Sequence, residues 1–231
     1  MSSQNRPVGD EVATTPAKRP ARITVSGRHV SLTPLLPEHA TALFAHVGGA
    51  ENGWLWDYMG DGPFLDLGTF RDSIAQKARS EDPFFFAIVD NSGTQDVVGY
   101  ATLMRIDAAN RAVEVGNIMF SPRLQRTPGA TEVMYLLARM VFEDLGYRRY
   151  EWKCNALNAP SRRAAERLGF TFEGVFRKHM VVKGRNRDTA WFSMLDDEWP
   201  AIKAGFEAWL APENFDKDGK QKRGLAEIRQ S

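Results

Sequence analysis

The chain has 231 residues, 43 % of them hydrophobic and 26 % charged, with a net charge of +1. That is apolar material enough for one sizeable core, and too little net charge for a field that would steer the molecule to nucleic acid or an anionic membrane surface. The single cysteine, Cys154, excludes an intrachain disulfide and fits a reducing, cytoplasmic compartment; no apolar run approaches the ~20 residues of a membrane helix.

Residues 1–24 mix Arg, Lys, Asp and Glu with Ser, Thr and Pro and lack a secretory apolar region. They read as a disordered tail. "GRHVSLTPL", 27–35, reads as a first strand, and "LPEHATALFAHV", 36–47, has helical spacing with Pro37 near its start. The Gly- and aromatic-rich stretch 48–64 holds Trp54, Trp56, Tyr58 and Phe64. Such a loop either walls a substrate pocket or plugs the core. A second helix is expected over 69–80. Strands follow at 83–90, 96–106 and 111–120, joined by "NSGTQ" and "DAAN", which makes an antiparallel meander.

"LQRTPGATEVMYLL", 124–137, then turns abruptly into an apolar helix that runs to Leu145 and stops at Gly146. A strand at 148–156, a short helix at 159–169, a hairpin of 170–182 with 188–195 and a helix at 197–210 complete the order. The residues after Pro212 are polar and expected to be loose. One α+β domain over 25–211 results, flanked by a tail at each end (1–24 and 212–231).

Helix starts leave about four backbone N–H groups unpaired, and the macrodipole adds roughly half a positive charge. The turn before the apolar helix could therefore hold an anion, with side-chain donors from Arg126 and Thr127 and close backbone approach at Gly129 and Ala130. It could equally be a plain helix start at Thr131. A nucleotide-hydrolase loop ending in Gly-Lys-Ser/Thr is absent, as is a dinucleotide-binding glycine fingerprint.

The strand "VEVGNIMFSP", the turn "LQRTPGATE" and the run "NAPSRRAAERLGFTFEGVFRKHMVVKGRNRDTAWFSML" resemble the GNAT superfamily of acyl-CoA N-acyltransferases, and within it the RimJ/RimL branch. The resemblance is strong over about 111–200 and extends back to Gly27. It implies a mixed, mostly antiparallel sheet of about seven strands, flanked by helices and splayed between strands 4 and 5. Acetyl-CoA would lie in that splay, with its pyrophosphate on Gln125, Arg126, Thr127, Gly129, Ala130 and Thr131. Pro128 stands where the family carries Gly, and proline offers no N–H.

The resemblance also implies that Asn158 bonds the pantetheine arm and that Ser161 protonates the leaving thiolate, although both residues are also ordinary helix caps. Backbone N–H groups around Ile118, Met119 and Phe120 would face the developing oxyanion.

Glu114 is the first candidate base and His179 the second; the alternation Val113-Glu114-Val115 puts Glu114 on the face opposite its neighbours. Trp54, Trp56 and Tyr58 are expected to wall the acceptor pocket. The expected reaction is acetyl transfer from acetyl-CoA to a primary amine, either a protein N-terminus or a small molecule, by direct attack in a ternary complex. No metal, nucleic acid or membrane takes part, and the protein is a monomer or homodimer. The alternative is a non-catalytic acyl-CoA-binding sensor or interaction module of the same fold.

Overall fold

The computed structural model describes residues 8–93 and 95–230. A single sheet has the order β1-β2-β3-β4-β5-β6-β8-β7. Its strands are β1 (Val25–Ser26), β2 (Val30–Pro34), β3 (Phe84–Asp90), β4 (Val97–Asp107), β5 (Ala112–Phe120), β6 (Arg149–Asn155), β7 (Thr171–Val182) and β8 (Arg185–Leu195). Every neighbouring pair is antiparallel except β5 and β6. The expected first strand is thus a small hairpin, and the sheet has eight strands rather than seven.

Alternation decides the layers. On β3, Phe84, Phe86 and Ile88 face one core, shared with Val113, Val115, Tyr150 and Phe192. Helices α3 (Pro128–Arg139), α4 (Ala159–Leu168), α5 (Trp199–Leu210) and α6 (Leu225–Arg229) cover that face. Phe85 and Ala87 face the other side, where α1 (Ala40–Val47) and α2 (Leu67–Ala78) pack with Tyr100 and Met119. Helix α2 starts where Asp66 accepts the Thr69 N–H at 2.9 Å. On this second face no helix among the described residues covers the C-terminal half of the sheet, and β7 is mostly exposed.

Two expectations about helices change. Helix α3 begins at Pro128 rather than Thr131, because Thr127 caps it and Pro128 occupies the first helical position, where a missing N–H costs the helix nothing. It also ends at Arg139 and widens into a π turn over Met140–Asp144, in which the Leu145 N–H reaches the Met140 carbonyl at 3.0 Å.

The segment after Pro212 is folded rather than loose. Leu225 is buried, Asn214 Nδ2 donates to the carbonyls of Trp209 and Arg223, and Arg229 Nη2 donates to the Glu166 carbonyl at 3.0 Å. Of the expected N-terminal tail, residues 1–7 lie outside the described residues. The remainder carries no regular structure but is fastened down. The Ala17 N–H donates to Ala108 O, the Lys18 N–H to Leu145 O, and Arg22 Nη2 to Ala78 O.

The start of α3 is stapled to the first hairpin. Glu132, buried on α3, accepts the N–H groups of Arg28, His29 and Val30 at 2.8, 2.6 and 2.9 Å. Position 27 is glycine because a Cβ there would stand 2.5 Å from that carboxylate.

Candidate active site

Strands β5 and β6 pair only from Ala112/Arg149 to Val115/Trp152. Beyond Val115, β5 continues to Phe120 while β6 turns away, so a seam opens through the sheet. A bulge sits at its mouth: Asn117 adopts φ 46°, and the β4–β5 register slips between Thr102/Gly116 and Tyr100/Met119. Ile118, Met119 and Phe120 form this unpaired edge. The β5 end is tied to the following turn by Gln125, whose Nε2 donates to the Phe120 carbonyl at 2.8 Å.

The turn at the head of α3 is built largely from its own hydrogen bonds. Thr127 Oγ1 donates to Leu124 O at 2.7 Å and accepts the Ala130 N–H at 3.3 Å, while the Thr127 N–H bonds Leu124 O. Thr131 is buried and its hydroxyl accepts from Arg167 at 3.1 Å. The smallness of Gly129 serves packing against β2, since a Cβ there would stand 3.0 Å from Val30. Arg126 is exposed with φ 63°. The α3 terminus keeps its dipole, the exposed Arg126 guanidinium and the Gly129 amide, which stands at the second helical position. These suit a diphosphate, with one donor fewer because of Pro128.

On the far side of the seam, Asn158 caps α4: its Oδ1 accepts the Ser161 N–H at 3.1 Å. Ser161 Oγ accepts the indole N–H of Trp152 at 3.0 Å, which leaves its own O–H to donate. Cys154 lies beside Ser161, and burial pushes its thiol up, so it stays protonated at neutral pH.

Glu114 sits on the opposite face, 5 % exposed. It stands directly across from Glu151 in the parallel register, a like-charge pair that would repel. Lys153 resolves the conflict. Its Nζ lies 2.9 Å from Glu114 Oε2 and 2.6 Å from Glu151 Oε2, and 3.8 Å from the centre of the Trp191 ring. Arg105, at a bulge with φ 49°, brings Nε to 3.0 Å from the same Glu114 oxygen. The two contacts to Glu114 Oε2 are charge contacts rather than aligned hydrogen bonds.

Burial raises the Glu114 pKa, and Lys153 and Arg105 pull against it. At Glu151 burial also acts upward, but the hydrogen bonds from Lys153 and Arg149 together outweigh it and hold the carboxyl low. The sequence reading had not singled out Lys153, although the strict alternation of "RYEWKC" places it beside Glu151 and away from Tyr150 and Trp152.

His179 shares this face. Its Nδ1 is 3.0 Å from Thr189 Oγ1, and its pKa is lowered by burial and by Arg105, Arg187 and Lys153. The aromatic loop divides. Trp54 is 56 % exposed, whereas Trp56 has no exposed surface. Trp56 packs edge-on against Phe64 and Phe70 and donates Nε1–H to Val47 O at 2.9 Å, so it is core rather than pocket wall. Tyr58 OH reaches the Leu157 carbonyl at 3.3 Å, and Lys183 at the β7–β8 turn donates to the Trp56 carbonyl at 2.8 Å. The loop is thereby closed over the end of β6 and against the last hairpin. No helix among the described residues is long and apolar enough to cross a membrane.

A family profile described as an acetyltransferase (GNAT) domain matches residues 29–171. The uncharacterised N-acetyltransferase p20 of Bacillus licheniformis is 31 % identical over 147 residues, covering 62 % of this chain and 80 % of that protein. YdaF of Bacillus subtilis (strain 168), named as a candidate ribosomal N-acetyltransferase, is 30 % identical over 105 residues, 46 % of this chain and 57 % of that protein. The crystal structure of a GCN5-related N-acetyltransferase from Brucella melitensis superposes with a TM-score of 0.92 at 49 % identity, covering 94 % of this chain and 98 % of that one. With the seam, the capped turn beside it and these relatives all in agreement, the chain belongs to the GNAT family of acetyltransferases, with RimJ/RimL-like members among its relatives.

Proposed function

We propose that the enzyme moves an acetyl group from acetyl-CoA to a primary amine by direct attack within a ternary complex. The observation that carries this reading is the seam beyond Val115 and Trp152. It joins the anion-suited head of α3 and Ser161 on one face to Glu114 and Lys153 on the other. Acetyl-CoA supplies an acyl group on a thiolate leaving group, held by the α3 turn through Arg126 and the Gly129 amide and along its arm by Asn158.

An amine arrives protonated, since an α-amino group has a pKa near ~8 and a lysine near ~10.4. Glu114 takes that proton, directly or through one water, and the burial that raises its pKa makes it a stronger base than an exposed carboxylate. His179 is the second candidate for this role; its Nδ1 is engaged with the Thr189 hydroxyl, which leaves Nε2 as the ring nitrogen open to a substrate. The nitrogen lone pair forms the new N–C bond while the β5 edge at Ile118 to Phe120 offers backbone donors to the charge growing on the carbonyl oxygen. The C–S bond breaks as the Ser161 hydroxyl, polarised by the Trp152 indole N–H, gives a proton to the departing sulfur, and the second proton of the attacking nitrogen, released as the amide forms, passes through water to restore that hydroxyl.

The test is thiol release from acetyl-CoA with a panel of amines. Ser161→Ala is expected to slow release by about 100-fold or more, and Glu114→Gln to flatten its rise with pH. Coenzyme-dependent thermal stabilisation without turnover on any amine would refute catalysis and assign a non-catalytic acyl-CoA-binding module instead.

A further inference from the structure

The uncovered half of the sheet carries an aromatic platform. The Phe176 and Trp191 rings lie 4.4 Å apart at 33°, and His179 stands 5.6 Å from Phe176 and 5.9 Å from Trp191. Phe176 is 52 % exposed, which is unusual for a large ring and leaves its face for a partner. Two clefts of about 710 and 730 Å³ meet at this platform. Trp191, Lys153 and Glu151 line the first; Phe176, Lys178 and His179 line the second.

Charge here is unbalanced. Lys153 and Arg105 are matched by Glu114 and Glu151. Arg187 is not. It is half-buried, its Nε donates to Thr189 Oγ1 at 3.2 Å, and it makes no ion pair among the described residues. A half-buried guanidinium without a carboxylate is costly unless something supplies the anion. The charges felt at His179 agree, since all three that shift it are cations.

We propose that the acceptor is a small amine bearing both a planar aromatic ring and an anionic group, the ring stacking on the exposed face of Phe176, which Trp191 backs, and the anion bonding the free end of the Arg187 guanidinium. A flat ring gains from offset stacking, and a carboxylate or phosphate matches the guanidinium fork. The amine is thereby directed toward Glu114, whose charge acts on Arg187. This assignment rests on the acetyl-transfer reading above.

The experiment measures kcat/KM for thiol release by the full chain with acetyl-CoA. The acceptors are phenylalanine and tryptophan, their carboxamides, norleucine, a phosphate-bearing aromatic amine, and a hexapeptide with a free N-terminus. One charge-assisted bidentate contact predicts that an anionic aromatic amine exceeds its neutral carboxamide by about 10- to 100-fold. The carboxylate and phosphate members tell which anion is preferred. Arg187→Gln should collapse that ratio to near one, mainly through KM. Phe176→Ala, an exposed position, should remove the advantage of phenylalanine over norleucine while the melting temperature holds. Equal rates for acid and carboxamide, or a preference for the peptide, overturn the subsite and leave acetyl transfer standing. No release with any acceptor overturns both.

Discussion

Removal of the Glu132 carboxylate tests whether the first hairpin holds the head of α3. Three backbone N–H groups point at this side chain, and the Val30 donor is buried. In Glu132→Ala the buried donor loses a bond to a charged acceptor, worth about 1.5–3 kcal/mol. The part-buried Arg28 and His29 donors regain water and lose about 0.5–1 kcal/mol each. The sum is about 2.5–5 kcal/mol. At roughly 2–4 °C per kcal/mol for a domain of this size, the melting temperature should fall by about 5–20 °C. Differential scanning calorimetry gives the number. Gly27→Ala supplies the coupling control, because its new Cβ would meet the same carboxylate. It should cost stability in the native background and much less beside Glu132→Ala. A fall of under 2 °C for Glu132→Ala, or strictly additive losses in the double variant, would refute the staple.

Three further expectations follow from the same geometry. Trp56→Ala should destabilise by about 3–5 kcal/mol, whereas the neighbouring exposed Trp54→Ala should stay within about 0.5 kcal/mol; urea melts separate the two. Pro128→Ala restores one N–H to the turn and should tighten acetyl-CoA binding by about tenfold, read by calorimetry, with little change in melting temperature. The Arg149 guanidinium makes a double contact with Glu173, at 2.8 and 2.5 Å, and holds that carboxyl below the usual range, burial opposing and the Ser193 hydroxyl assisting. The stability this contributes is complete above the ordinary carboxylate pKa and is lost as pH falls through the depressed one. Glu173→Gln should therefore lower stability at pH 7 and reduce its loss in acid, measured as melting temperature against pH.

Local signals were sufficient for most of the architecture. The meander of β3, β4 and β5, the hairpin of β7 and β8, and the glycine stop after α4, where Gly169 adopts φ 106°, all follow from alternation, turn residues and helix ends. Helix α6 was not legible, because its five residues are too few to nucleate alone and depend on long-range contacts with Glu166 and α5. Trp54 and Trp56 are indistinguishable by composition, and only the fold decides that one is outside and the other in the core. The site shows the same division. Glu114 stands out by alternation and Asn158 and Ser161 by the family resemblance, but Lys153 acquires its meaning from a register that sets Glu114 against Glu151. The packing of Gly129 on Val30 is likewise set by the fold and not by the local sequence.

The two ties on the aromatic loop, Tyr58 to Leu157 and Lys183 to Trp56, have a kinetic corollary. A segment already pinned at two distant points has little freedom left, so the entropic cost of ordering it is met once, in folding. Cutting either tether, as in Lys183→Met, would return that freedom to the loop and be felt as faster amide exchange across residues 54–64, while the sheet kept its protection.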